Sequence, residues 1–401
     1  MNLVHELVPT VMHYDWGKLG YDSLVAQLCH VNEKSEYKRP FAELWMGNHH
    51  KSPSHVIKNG VEMDIRECLG NPLPFLFKVL SIKTALSIQA HPDKKTAEKL
   101  HKMLPDLYQD SNHKPEMLVA LTHFVALVGF APLSVIRSRV FDFPELLDLS
   151  SHAKKAMTTG IELDLRTMFC QVVSQPAEIV WKVHDVLVQR LTGQVTRTPF
   201  ENLVLELACQ YPLDIGVFCA MFMNRVVLTS GQALFLGANE IHAYVFGDCI
   251  EIMACSDNVV RAGLTPKYRD IPTLQSILSY EPRCVGGLLI QPYKNMVTYP
   301  LTNTFLPPVK DFGLHHTIVP NGYHVKIPII SSISILLVTS GSGSLHVSDE
   351  THIIPLGKGT VLLIEPFTTL HCTCTSTMEN LSIFQAFSKG TCRPFGTLAS
   401  M

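Results

Sequence analysis

The sequence predicts a mainly β protein built as two jelly-roll barrels, the first interrupted by an inserted α-helical domain. Three observations carry this. Residues 1–130 break into short apolar runs separated by turn residues, whereas 131–222 repeat apolar residues at helical spacing. From 223 onward strand-like runs return. One pattern then occurs twice: His242 follows Gly231 by eleven residues and His371 follows Gly359 by twelve, each within a strand–turn–strand stretch. At 401 residues the chain is also longer than one core usually supports. The expected division is a first barrel from 1–130 and 223–300, a helical insertion over 131–222, and a second barrel over 301–401.

Taken in order, Leu73–Ile82 and Ala85–His91 read as buried strands. Pro92 and Asp93 then open a helix to about Leu104, with Ala97, Leu100 and Leu104 on one face. Leu118–Phe130 is strand-like again. In the insertion, Ile179, Val180, Val183, Val186, Leu187 and Leu191 mark a helix that Gly193 stops. Thr198-Pro-Phe-Glu201 is a capping box with Pro at the first helical position, and Leu203, Val204, Leu207 and Ala208 continue that helix. Val226–His242 reads as a hairpin that delivers His242 to the start of the next strand. Ile335–Gly343 and Gly359–Pro366 repeat that pattern, with Cys372 and Cys374 as inward barrel residues and His315-His316 as a solvent-facing loop pair.

Composition narrows the function. Lys plus Arg number 33 and Asp plus Glu 35, so the net charge of −2 offers no electrostatic footprint for nucleic acid. Met1–Lys18 has no basic segment followed by an apolar one, so no secretory signal is expected. The longest apolar stretch, Ile327–Val338, is broken by Pro328, Ser331, Ser332 and Ser334 and is too short to span a bilayer as a helix. The eleven cysteines are scattered without a CxxC pair, which reads as reduced thiols of a cytoplasmic protein.

Gln89 and His91 stand two apart on an expected strand, so their side chains share a face. With Glu116 and His242 they make a set able to hold one divalent metal. Any single histidine of this kind is more often a hydrogen-bonded core residue than a ligand. One carboxylate, two imidazoles and an amide suit zinc, with other divalent metals possible. The bound ion would keep a formal charge of +1, able to polarise a carbonyl and stabilise a developing oxyanion. Lys114 lies two residues from Glu116, and Tyr244 two residues from His242. Arg261 and Lys267 flank a Gly-containing turn and suit a phosphate. Asp257 either orients Arg261 or caps a turn. On these residues alone, a metal-dependent oxygenase and a non-catalytic sugar-binding barrel stay open beside metal-assisted chemistry at a carbonyl.

Several segments resemble the type I phosphomannose isomerase family. They are Tyr14-Asp-Trp-Gly17, Ala42-Glu-Leu-Trp-Met-Gly47, Pro74-Phe-Leu-Phe-Lys-Val-Leu80, Leu86-Ser-Ile-Gln-Ala-His-Pro92, Asn112-His-Lys-Pro-Glu116, His242-Ala-Tyr244, Ser256-Asp-Asn-Val-Val-Arg-Ala-Gly-Leu-Thr-Pro-Lys267 and Pro307-Pro-Val-Lys-Asp-Phe312. The resemblance implies two cupin-like barrels, of which only the first binds metal. It implies one zinc on Gln89, His91, Glu116 and His242, a catalytic Arg261, and a pocket lined by Trp16, Glu43, Lys78, Lys114, Tyr244 and Lys267. Lys114 is the expected second catalytic residue. The implied reaction interconverts mannose 6-phosphate and fructose 6-phosphate through a cis-enediol, supplying mannose for GDP-mannose synthesis and glycosylation. Such a reaction needs no nicotinamide, and the implied protein is a cytoplasmic monomer whose partner is a small hexose phosphate. One departure is Ile241, where the family usually has Pro. It restores a backbone N–H and frees φ at the entry to the His242 strand.

Overall fold

One strand organises the first barrel of the computed structural model, which describes residues 3–31, 33–348 and 353–390. His242–Ala254 runs thirteen residues and serves two parts of the sheet in turn. Its first half pairs with Phe124–Phe130 (Val128 opposite His242) and meets Ile88–Ala90 at Gln89. Its second half pairs with Phe75–Ile82 and Glu116–Ala120. The strand changes neighbours at Gly247, which has φ +118; a Cβ there would lie 2.5 Å from the His123 carbonyl oxygen. Only glycine suits that bend.

Period-two alternation then sorts the side chains. Phe75, Phe77 and Val79, with Ile250 and Ile252, face outward and pack against Phe305, Leu314, Leu337 and Phe384 of the second barrel. Leu80, Leu118, Ala126, Val226 and Leu234 fill the first barrel's interior. Leu336, Val338, Leu345, Cys372, Cys374 and Ile383 fill the second, so the two thiols are barrel packing. The two large sheets thus share one apolar layer, in which each fully buried Phe, Leu or Val contributes about 1.5–3 kcal/mol. On the inward face of the same strands, Lys78 and Glu251 stand directly opposite each other.

The structure differs from the expectation in four places. The apolar run 226–236 is not a hairpin. Met223–Leu228 pairs with Phe124–Phe130, whereas Ala233–Leu236 pairs with Glu116–Ala120, the chain crossing the barrel at Gly231 (φ +87). Ile353–Gly357 and Val361–Ile364 part in the same way at Gly359 (φ +88), so the internal repeat is a repeat of this crossing. Two apolar runs around a turn do not tell whether they pair or face each other across a core. Secondly, Val4–Val8, His55–Lys58 and Val61–Asp64 extend the second barrel's sheet, with Val4 opposite Ile364. They cover what would be an open sheet edge, which a division by sequence position does not anticipate. The last residues of the expected second barrel, 391–401, lie outside the described ones.

Thirdly, His315 and His316 are not a loop pair. They lie buried on Gly313–Val319, stacked on Phe387 and Phe384 at 4.6 and 4.0 Å. Burial lowers both imidazoles to about 4. Lastly, in the insertion, helix Ala177–Gly193 buries Val180, Val183, Leu187 and Leu191 but leaves Ile179 and Val186 exposed at its flanks. Helix Pro199–Gln210 starts with the capping box of Thr198 and Glu201. The helical core is continuous with Ile88, Ala90, Val125 and Leu127, so the insertion stands against the metal-side edge of the first barrel.

Candidate metal centre and pocket

Glu116 heads its strand, and an imidazole flanks each of its oxygens. His91 Nε2 lies 3.2 Å from Oε1 and His242 Nε2 lies 3.3 Å from Oε2. All three residues are buried. The far side of each ring fixes its tautomer. His91 Nδ1 is 2.7 Å from the Asn258 carbonyl oxygen and His242 Nδ1 is 2.9 Å from that of Glu240. A carbonyl only accepts, so both Nδ1 atoms carry the proton and both Nε2 lone pairs point at the carboxylate. Among the described residues neither Nε2 has a hydrogen-bond partner. Two buried acceptors facing a carboxylate repel one another unless a cation lies between them, and carbonyl-oriented imidazoles are the usual support of a metal ligand. The donor set therefore fits a divalent metal.

Gln89 stands beside these groups on the neighbouring strand. It is the direct partner of His242 on one side and of Arg261 on the other, so Arg261, Gln89 and His242 form a cross-strand row. Its Oε1 accepts the Ser87 hydroxyl at 3.0 Å. His91 stays neutral, held at about 4 by burial and the Lys114 charge. Burial opposes ionisation of Glu116, but the Lys114 charge beside it pulls the other way, and the carboxyl is held well below its usual range. Lys114 Nζ is 2.7 Å from Glu116 Oε1. Ile241, the departure from the family pattern, is buried, and its carbonyl accepts the Gly129 N–H at 2.7 Å, so packing fixes the strand entry without a proline.

These groups open onto a cavity of about 380 Å³, large enough for a hexose phosphate. Trp16, Glu43, Lys78, Gln89, Lys114, Glu116, His242, Tyr244, Arg261 and Lys267 all line it, while His91 lies beneath the surface. Helical-domain residue Asp214 fixes the loop that carries Arg261 and Lys267: its Oδ1 accepts the Leu264 N–H at 2.8 Å and its Oδ2 the Thr265 N–H at 3.1 Å. Gly216 meets Gly263 and Leu264 so closely that a Cβ on it would lie 2.3 Å from Leu264 N.

The cavity's cations fall into two kinds. Lys78 sits 3.4 Å from Glu43 and 3.2 Å from Glu251, its ammonium 5.0 Å from the Trp45 ring centroid. Burial penalises that ammonium, but Glu43, Glu251 and Glu116 outweigh burial and raise its pKa. Trp45 Nε1–H donates to Glu43. Glu251 itself is pushed up, first by burial and then by Glu116 and Glu43 against the pull of the lysines. Arg261 and Lys267, in contrast, have no carboxylate partner among the described residues, and burial lowers both pKa values.

Sequence reasoning missed Glu251, Trp45, His49 and Lys51. Glu251 left one signal, a carboxylate within the apolar strand run Cys249-Ile-Glu-Ile-Met253. Asp257 neither orients Arg261 nor caps a turn. It gathers His49, His50 and Lys51, at 3.6, 3.5 and 3.0 Å. That second His–His–carboxylate group already has an ammonium on its carboxylate, and the His49 Nδ1 accepts the Lys51 N–H.

The comparisons with known proteins agree with this geometry. Residues 4–133 match the family model "Phosphomannose isomerase type I, catalytic domain", and 145–223 match "Phosphomannose isomerase type I, helical insertion domain". The chain is 41% identical to mannose-6-phosphate isomerase 1 of Arabidopsis thaliana, over 92% of this chain and 91% of that one. It is 38% identical to the mannose-6-phosphate isomerase of Homo sapiens, over 90% and 93%. Among solved structures, the mannose 6-phosphate isomerase of Salmonella typhimurium bound to fructose 6-phosphate and zinc superposes with a TM-score of 0.84 at 29% identity, over 97% of this chain and all of that one.

Proposed function

Because the chain belongs to the type I phosphomannose isomerase family, we propose that it interconverts mannose 6-phosphate and fructose 6-phosphate with one zinc ion held by Gln89, His91, Glu116 and His242. The observation that carries this reading is the pair of orphaned, buried Nε2 atoms on either side of Glu116, at the floor of a cavity with two uncompensated cations. The Salmonella relative, bound to fructose 6-phosphate and zinc, supports it. Aldose–ketose conversion removes the C2 proton of the opened sugar and returns a proton to C1 through a cis-enediol, with no net redox change. When bound, the zinc supplies a Lewis acid for the sugar oxygens.

The chain's own residues divide the remaining work. Arg261, planar and unpaired, stabilises the negative charge that develops on the enediol or holds the phosphate, with Lys267 as the second phosphate cation. Lys114 keeps Glu116 ionised and presents an ammonium beside the sugar oxygens. Lys78 is held as an ammonium by two carboxylates, so it donates hydrogen bonds and does not abstract the proton. Glu251, a buried carboxyl with a raised pKa on the cavity floor, is the group best suited to carry the proton between C2 and C1. Trp16, Glu43 and Tyr244 shape the pocket and exclude water. The mannose 6-phosphate formed would feed GDP-mannose synthesis and glycosylation. The cysteines of the described residues are all unpaired thiols, in keeping with a cytoplasmic enzyme, and we take it to act as a monomer.

The test measures zinc content and mannose 6-phosphate isomerisation before chelation, after it, and after zinc is returned. Activity should follow zinc, and His242→Ala should lose both. In deuterium oxide, fructose 6-phosphate should acquire label at C1 to the extent that the proton carried from C2 exchanges with solvent before it is returned. A zinc-loaded chain with no turnover refutes the assignment.

A further inference from the structure

We propose that Lys51 is a further substrate-binding residue, the third cation of the phosphate seat, held in readiness by Asp257. The inference rests on the hexose-phosphate reading above and extends it to a residue outside the motifs that carry the family resemblance.

A phosphate monoester carries about −1.5 to −2 charges at neutral pH, so its binding sites commonly gather two or three cations. Five cations line this cavity. Lys78 and Lys114 are committed to buried carboxylates near the metal ligands. Arg261, Lys267 and Lys51 remain, and the charges of Arg261 and Lys51 both reach Lys267, adding to burial in lowering its pKa. Lys51 and Arg261 therefore both lie on the Lys267 side of the cavity that all three line.

Lys51 alone of the three has a carboxylate partner, and the bond is one it can leave. Its side chain is 48% exposed, so the four-carbon stem is free to swing. When it leaves, Asp257, which lines the same cavity with its side chain 19% exposed, is left to water rather than stranded. The backbone beneath does not need to move. The Ser52 N–H donates to the His49 carbonyl at 3.1 Å, and the Ser54 N–H to that of Gly47 at 2.8 Å, which fixes the loop while the ammonium alone reorients. An ordinary loop-pinning lysine would not share a cavity wall with two further cations.

The experiment compares the zinc-loaded parent with Lys51→Met, which keeps the stem, and Lys51→Arg, which keeps the charge. It reads kcat and KM for mannose 6-phosphate and the inhibition constant of inorganic phosphate. Lys51→Met should raise both KM and the phosphate inhibition constant about tenfold while kcat changes by less than threefold. Lys51→Arg should recover most of the loss. An unchanged phosphate inhibition constant in Lys51→Met, with kcat or thermal stability lowered instead, assigns Lys51 to loop anchoring and overturns the proposal. If the parent itself neither turns over mannose 6-phosphate nor binds phosphate, the underlying functional reading fails; a normal parent beside an indifferent Lys51→Met fails the inference about Lys51 alone.

Discussion

Replacing Lys78 by Met removes the ammonium shared by two buried carboxylates and leaves a side chain of similar length in its place. That ammonium stands 3.4 Å from Glu43 and 3.2 Å from Glu251, both carboxylates being more than nine-tenths buried. At an effective dielectric of about 20, each of these attractions is worth about 5 kcal/mol before desolvation. After desolvation, removing one partner of a buried pair costs about 3–5 kcal/mol. The variant has an escape, because Glu251 already has a raised pKa and can take up a proton in the folded state. A carboxyl whose folded pKa lies above its unfolded value binds more protons when folded, so stability is full at low pH and falls as pH rises through the folded pKa. The destabilisation relative to the parent should therefore be about 3–5 kcal/mol near pH 8. It should shrink toward pH 5 by about 1.4 kcal/mol per pH unit and per carboxyl involved. Urea unfolding of both metal-free proteins at a series of pH values measures this. Equal destabilisation at pH 5 and pH 8 would refute carboxylate repulsion as the cause and leave only packing.

Arg261→Ala should keep stoichiometric zinc, measured by metal analysis, yet lose turnover by a factor of about 100 or more, the scale of removing one transition-state charge donor; turnover near that of the parent would remove Arg261 from the chemistry. His315 and His316 are buried neutral at about 4, so they support folding above their unfolded pKa of about 6.5 and withdraw that support as pH falls toward 4. His316→Gln should flatten the fall in stability over that window by up to about 1.4 kcal/mol per pH unit, seen in melting midpoints at pH 4.5 and 7; an unchanged slope would show that His316 titrates as if exposed. Gly247→Ala places a Cβ 2.5 Å from the His123 carbonyl oxygen at φ +118. It should cost several kcal/mol, whereas Gly231→Ala, with open space around its Cβ, should cost only the strain of a positive φ, about 1–2 kcal/mol. Equal melting points for the two variants would contradict this.

Much of the site was legible because its signals are local. Gln89 and His91 share a strand face by spacing alone. Pro92 and Asp93 announce the helix that begins at Lys94, with Asp93 as its N-cap. The capping box of Thr198 and Glu201 formed as written. What stayed hidden depends on partners far along the chain. Lys78 and Glu251 are 173 residues apart and become neighbours only through strand register. Lys51 and Asp257 meet across the pocket rim, and neither side's sequence marks the other. His315-His316 reads as polar, yet Phe384 and Phe387 bury it.

The sequence by itself determined the kinds of element, the helical interruption, the ligand types and, through its motifs, the family. These follow from side-chain chemistry and from periodicities of two and 3.6, which are properties of neighbouring residues. Only the tertiary structure decided which strands pair across the barrel and which part at Gly231 and Gly359. It also decided that the N-terminal strand extends the other barrel's sheet, and which cavity lysines stand against buried carboxylates and which do not. Those outcomes turn on which distant surfaces bury each other, and on how burial strengthens or cancels each charge, so no local stretch of residues contains them.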